Sequence, residues 1–285
     1  MKGSPLVRKL VALALEEDLA LGDITAELAV SREHQSSARV VARQPLVVCG
    51  LEVVRMIVDE ARYSVDVKER SHDGALVEAD ATLVELEGPT REILALERTI
   101  LNFLQRLSGV ATHTRDFVRG ARGLAVLDTR KTMPGWRVLD KYAVTVGGGS
   151  NHRLSLGDMV LVKNNHIDAH SHGIRGALER IASQKPLYMP WEVEVRSLDE
   201  LRAALEFKPT IIMLDNFSNE SIREAMAIVR AAAHRPLVEV SGGVTKDRLP
   251  SLHELGVDAV SAGFLTTHAP NVDISMRINT TYYAA

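Results

Sequence analysis

The rhythm of apolar and polar positions changes near residue 124. Beyond it, apolar runs of strand length recur at 124–128, 158–163, 190–195, 210–215, 236–241 and 257–263. Segments with helical spacing separate most of them, at 136–146, 174–183, 198–207, 219–233 and 246–255. Alternating units of this kind predict a parallel sheet, because a parallel return needs a crossover, usually a helix. Six strands fall short of the eight that close a (β/α)8 barrel. The spacing alone leaves an incomplete barrel and a doubly wound sheet both open.

The first third has a mixed pattern. Leu6, Leu10, Leu13 and Ala14 share one face of an opening helix. Strand-like segments follow at 37–41, 46–49 and 82–86, and a long amphipathic helix is expected over 91–107, with Ser108-Gly109 as its stop signal. Near the other end, Val272, Ile274, Met276 and Ile278 alternate with polar residues, a half-buried strand expected to pair back with the N-terminal region. The pattern divides the chain into an N-terminal domain (1–107), an alternating β/α domain (108–264) and a returning C-terminal segment (265–285).

Composition narrows the function. With 285 residues, 46% hydrophobic and 25% charged, the chain has the make-up of an ordinary soluble globular protein. A net charge of −3 argues against a general nucleic-acid binder, so any anion site must come from local clusters of Arg and Lys. One cysteine, Cys49, excludes a disulfide framework and a cysteine-based zinc site. No apolar run approaches the ~18 residues of a membrane span, and no cleavage signal follows the N-terminal helix. The expectation is a cytoplasmic protein without a membrane or nucleic-acid partner.

Position along the strands is the informative feature. The six apolar runs end in Asp128-Thr129-Arg130-Lys131, Lys163-Asn164-Asn165, Glu194, Asp215-Asn216, Ser241-Gly242-Gly243 and Ser261-Ala262-Gly263. In parallel α/β folds these C-terminal ends face the ligand. Arg130, Lys131, Arg153 and Lys163 suit a substrate with several anionic groups. Glu194 and Asp215 suit Mg²⁺, which takes one or two carboxylates together with water and substrate oxygens. The two Ser/Gly-containing turns offer backbone N–H groups to a phosphate. Each feature also has a plain reading: a solvated charge, a carboxylate that caps the next helix, a Gly-Gly turn, or His152 as an idle loop histidine. Their segregation over six strand ends favours a phosphorylated sugar, a metal and an anionic partner in one site.

DTRKTMPG, then KYAVTVGGGSNHR, VKNNHI, WEVEV, LDN, VSGG and VSAG resemble the quinolinate phosphoribosyltransferases in order and spacing over 97–275, and EDLALGDIT and ARQPLVVCGLE extend the match. The resemblance implies an N-terminal α/β sandwich, completed by the C-terminal segment, plus an incomplete six- to seven-stranded α/β barrel. It also implies a homodimer or higher homo-oligomer. The implied reaction joins quinolinate and 5-phosphoribosyl-1-pyrophosphate, with Mg²⁺, to give nicotinate mononucleotide, pyrophosphate and CO₂ in de novo NAD synthesis. By motif, Arg130, His152, Arg153 and Lys163 would bind quinolinate, and Lys131 and Lys163 the phosphoribosyl donor. Glu194 and Asp215 would meet the ribose hydroxyls and the metal, making Lys131, Lys163, Glu194 and Asp215 the catalytic set. Thr129 would join the substrate-binding residues. Ser241, Gly242, Gly243, Ser261, Ala262 and Gly263 would hold the 5-phosphate, and Arg98 would reach a neighbouring subunit's site. Arg153 and Lys163 are both candidates for the positive group beside the 2-carboxylate that is lost.

Two positions depart from the family pattern: Asn164 stands where an acid is common, and His268 lies one place later than usual. Three rivals define the tests. A paralogue of the same fold is disfavoured by the intact GGGSNHR and KYAV segments, a Schiff-base aldolase would use Lys163 and be trapped by borohydride, and a scaffold would survive loss of Arg130 and Arg153.

Overall fold

The structure, a computed structural model, describes residues 4–279. In chain order the first elements are α1 (Pro5–Leu19), α2 (Ile24–Ala29), β1 (Gln35–Ala42), β2 (Leu46–Val47) and α3 (Leu51–Ala61). Next come β3 (Asp66–Glu69), β4 (Leu76–Val77), β5 (Thr82–Pro89) and the long α4 (Thr90–Val118). The alternating part holds β6 (Ala125–Leu127), α5 (Arg137–Val146), β7 (Val160–Val162), α6 (Asn164–Asp168) and α7 (Gly173–Gln184). It continues with β8 (Trp191–Val195), α8 (Leu198–Glu206), β9 (Ile211–Asp215), α9 (Asn219–Ala231) and β10 (Leu237–Ser241). The last elements are α10 (Leu249–Leu255), β11 (Ala259–Ser261), α11 (Phe264–Thr267) and β12 (Ile274–Asn279). Among the described residues two compact units result: one takes 4–115, 132–148 and 264–279, the other 116–131 and 149–263.

The first unit is built on an antiparallel sheet of order β12-β1-β5-β3. The C-terminal strand returns as expected, with Ala42 paired to Ile274 and Ser37 to Asn279. The helix expected to end at Ser108-Gly109 runs on to Val118. These two residues serve close packing instead of termination. A β-carbon on Gly109 would lie 2.2 Å from the Pro270 carbonyl oxygen, and Ser108 Oγ accepts a hydrogen bond from the Cys49 N–H at 3.0 Å. A helix stop signal and a helix contact read alike in sequence; only the partner tells them apart.

The second unit is a parallel sheet of order β6-β11-β10-β9-β8-β7. It is the expected incomplete barrel: β6 and β7 form its two edges and do not pair with each other. Ser150 makes a parallel bridge to Leu127 beside β6, a rudimentary addition to that edge. On one face of the central strands Val193, Val195, Ile212, Leu214, Val238, Val240 and Val260 are buried. Since side chains alternate along a strand, the opposite face carries Glu192 and Glu194, Met213 and Asp215, Glu239 and Ser241.

Helix starts in this unit decide one question raised by the sequence. Ser197 accepts from the Glu200 N–H at 3.1 Å, and Ser218 from the Ser221 N–H at 3.2 Å. These serines cap α8 and α9, so Glu194 and Asp215 are not consumed as caps.

Candidate active site

The strand ends of the second unit open onto a cavity of about 730 Å³. Its lining includes Thr129, Arg130, Lys131, His152, Arg153 and Lys163 on the basic side. Glu194, Asp215, Ser241, Gly242, Gly243 and Ser261 supply the rest of the expected set. Leu161, Met213 and Asn216 also line it.

The two motif halves that seemed separate in sequence are joined here. Ser150 N–H donates to the Val126 carbonyl at 2.8 Å and Asp128 N–H to the Ser150 carbonyl at 3.1 Å. The Asp128 carboxylate, fully buried, accepts from the His152 N–H at 2.9 Å. Thr129 Oγ1 accepts from the Lys131 N–H at 3.0 Å and so shapes the turn after β6. A β-carbon at Gly263 would lie 2.7 Å from Lys131 Cδ, so the glycine gives the Lys131 side chain its path.

Two guanidinium groups, those of Arg130 and Arg153, share the basic side of the cavity. Arg153 is held below its usual pKa, first by burial and then by the charge of Arg130, with Glu192 and Asp158 acting in the opposite direction. Its Nη1 donates to the Met159 carbonyl at 3.1 Å. Arg130 Nε is buried with no hydrogen-bond partner. Neighbouring cations with an unmatched donor are costly in isolation and suit a multiply charged anion.

Lys163 Nζ forms an ion pair with Glu194, and its N–H donates to His166 Nδ1 at 2.9 Å as α6 begins. Asp215 accepts from Asn216 Nδ2 at 3.0 Å. Ser261 Oγ donates to Ser241 Oγ at 3.0 Å, joining two turns beside one another. Gly242 has a φ of +81°, and a β-carbon there would sit 2.2 Å from Asn216 Oδ1. Only glycine permits that approach.

Three residues of the expected set do not line this cavity. Ala262 is buried and its N–H is committed to the Leu127 carbonyl at 3.0 Å. Gly263 acts through Lys131 as described. Arg98 lies in the other unit, on α4, where it lines a separate hollow with Leu13, Glu17, Asp18 and Trp136.

Comparison with known proteins decides the family. The quinolinate phosphoribosyl transferase N-terminal domain matches residues 23–108 and the C-terminal domain residues 110–277. The chain belongs to the quinolinate phosphoribosyltransferase family. A probable nicotinate-nucleotide pyrophosphorylase [carboxylating] of Methanocaldococcus jannaschii is 39% identical over 278 residues, covering 95% of this chain and 96% of that protein. The nicotinate-nucleotide pyrophosphorylase [carboxylating] of Mycobacterium leprae is 38% identical over 275 residues, covering 94% and 96%. Among solved structures, the nicotinate-nucleotide pyrophosphorylase of Francisella tularensis superposes with a TM-score of 0.88 at 38% identity, covering 96% of each chain. That of Ehrlichia chaffeensis gives 0.90 at 33%, covering 98% and 100%.

As a quinolinate phosphoribosyltransferase the chain has two further interior residues that the sequence pattern of strand ends does not single out. Glu192 and Glu239 are 0% and 1% exposed. They lie on the same strand face as Glu194 and Ser241, two residues nearer the strand N-termini. The signal is present in WEVEV and LVEVS, where a carboxylate interrupts an apolar core strand. Attention to the strand ends alone misses it.

Proposed function

We propose that the cavity binds quinolinate and 5-phosphoribosyl-1-pyrophosphate together and joins them with loss of pyrophosphate and CO₂. The carrying observation is the convergence of Arg130, Lys131, Arg153 and Lys163 on one cavity with Glu194, Asp215 and the turn at Ser241-Gly242-Gly243. Family membership supports the same reaction. Quinolinate is a dianion and the donor bears several more negative charges, so one site must neutralise both.

In this reading Arg130 and Arg153 receive the carboxylates of quinolinate, while Lys131 and Lys163 receive the donor. The Ser241-Gly242-Gly243 turn and Ser261 hold the 5-phosphate. Departure of pyrophosphate leaves positive character on the ribose C1′, which the Glu194 and Asp215 carboxylates stabilise. The pyridine nitrogen then forms the new bond to C1′. The positive ring nitrogen stabilises the electron pair left on C2 when CO₂ departs, and that pair then bonds a proton in the carboxylate's place.

In the same reading Glu194 and Asp215 would be the hard oxygen ligands of Mg²⁺; they end adjacent strands, and their bonds to Lys163 and Asn216 each occupy one oxygen. When bound, the ion would offset charge on the departing pyrophosphate. A homodimer or higher homo-oligomer, with Arg98 serving the neighbouring site, is part of the same proposal. Arg98 beside exposed Leu13, and exposed Leu6, Ile24 and Leu28 in the same unit, support a self-association surface. No helix of the described residues is long and apolar enough to cross a membrane, and the single, buried Cys49 is compatible with a cytoplasmic setting.

The test is turnover. Purified protein with quinolinate, donor and Mg²⁺ should release pyrophosphate and give nicotinate mononucleotide by mass spectrometry. Use of nicotinate in place of quinolinate would show the substrate reading to be wrong.

A further inference from the structure

Beneath the cavity the two interior carboxylates meet one imidazole. His152 Nε2 stands 3.1 Å from Glu192 Oε2 and 3.7 Å from Glu239 Oε2. Both side-chain oxygens of Glu192, and Oε1 of Glu239, are buried without a hydrogen-bond partner. Two buried carboxylates this close are expensive unless something shares their charge. The other ring nitrogen, Nδ1, accepts from the Arg153 backbone N–H at 2.7 Å. A nitrogen that accepts carries no proton, so the ring proton sits on Nε2, facing the acids.

We propose that Glu192 and Glu239 are positioning residues for the anion subsite: they hold His152 in its Nε2–H form, and the ring's Nδ1 in turn holds the Arg153 backbone, which sets where the Arg153 guanidinium stands in the cavity. Both ring nitrogens of His152 are then engaged within the protein. The histidine acts on quinolinate through Arg153 and not as a charged donor of its own. Burial and the charge of Glu192 push Glu239 up to about 7, with His152, the Ser261 hydroxyl and Lys163 opposing, so uptake of a proton there relieves the repulsion within the pair. The spacing of the three ligand atoms, all within 4.8 Å of one another, also suits a metal ion. The ring's Nε2–H, 3.1 Å from Glu192 Oε2, offers the carboxylates a polar counterpart without one, and the experiment separates the two.

The variants are Glu192→Met and Glu239→Met, similar in volume but unable to accept a hydrogen bond, with Glu192→Gln and Glu239→Gln as conservative rescues. The ring's long-range nitrogen-15 spectrum, assigned by its loss in His152→Gln, reads the tautomer without any substrate. In the parent and in Glu192→Gln it should show Nε2–H; in Glu192→Met the pattern should shift. The quinolinate KM should rise about tenfold in Glu192→Met, with the donor KM unchanged, and return towards the parent in Glu192→Gln. If Glu192→Met does not fold, Glu239→Met and the Gln pair carry the same comparison.

Methionine variants that keep the parent tautomer and a quinolinate KM within about twofold would overturn the proposal. So would one tightly held divalent ion per chain in the purified parent, absent from both methionine variants. The KM measurements rest on the proposed reaction and the nitrogen-15 measurement does not, so failure of the parent to use quinolinate would sink the reaction alone.

Discussion

The buried Asp128 carboxylate and the backbone N–H of His152 are hydrogen-bonded at 2.9 Å across 24 residues of chain. This bond ties the turn carrying Arg130 and Lys131 to the segment carrying His152 and Arg153. Asp128→Ala removes the acceptor and leaves a partly buried N–H unmatched, at a cost of about 1–3 kcal/mol. Urea denaturation should show that loss, together with weaker quinolinate binding. Unchanged stability would mean the two segments are held by their backbone bonds alone.

Arg153→Ala tests the basic side directly. A charge-assisted hydrogen bond contributes about 1.5–3 kcal/mol, so quinolinate affinity should fall roughly ten- to 150-fold. Direct titration calorimetry reads this, and an affinity equal to the parent's would remove Arg153 from the site.

Glu239 makes stability depend on pH. Its carboxyl is raised from 4.5 to about 7, chiefly by burial and next by Glu192 on β8, against His152, Ser261 and Lys163. The folded protein therefore holds this proton more tightly than the unfolded chain between those values. Its contribution is fully present below the lower value and is lost as pH rises through the higher one. Glu239→Gln abolishes that loss. Relative to the parent, the variant should gain on the order of 1–3 kcal/mol between about pH 5 and about pH 8, because each tenfold difference in proton affinity is worth about 1.4 kcal/mol. Parallel urea melts at the two pH values would refute this if the difference stayed constant.

Gly242→Ala forces a side chain into left-handed backbone and against Asn216 at 2.2 Å. The expected cost is about 1–3 kcal/mol of stability, with a raised KM for the phosphoribosyl donor because the phosphate-holding turn must shift. A variant with the parent's melting temperature and donor KM would show that the turn tolerates the displacement.

Arg98→Ala and Arg153→Ala should each be poorly active alone. Unfolded, mixed and refolded together, they should regain part of the activity in hybrid assemblies that hold one intact site. Absence of any recovery would count against Arg98 acting across a subunit interface.

Much of this architecture is legible in the chain. The strand runs at 190–195, 210–215 and 236–241 contain β8, β9 and β10 almost residue for residue, because a central parallel strand is apolar on its buried face and bounded by turns. The polar residues at their ends stand out in the sequence for the same reason, because they interrupt an apolar run just before a turn. Less visible is whatever depends on a partner distant in sequence. Ser108-Gly109 reads as a helix stop until Pro270 and Cys49 are placed against it. Ala262 reads as a phosphate contact until its N–H is found on Leu127.

Local composition and periodicity thus determined the barrel strands, the returning C-terminal strand and most of the cavity lining, since these follow from side-chain alternation and from which residues solvent or core will accept. Tertiary structure alone decided how DTRK meets SNHR and which serines cap the helices in place of Glu194 and Asp215. It also decided that Glu192 and Glu239 share one imidazole. The physical reason is that hydrogen bonds and buried charge are settled by distances of about 3 Å between groups far apart in the chain, and spacing along a sequence does not encode them.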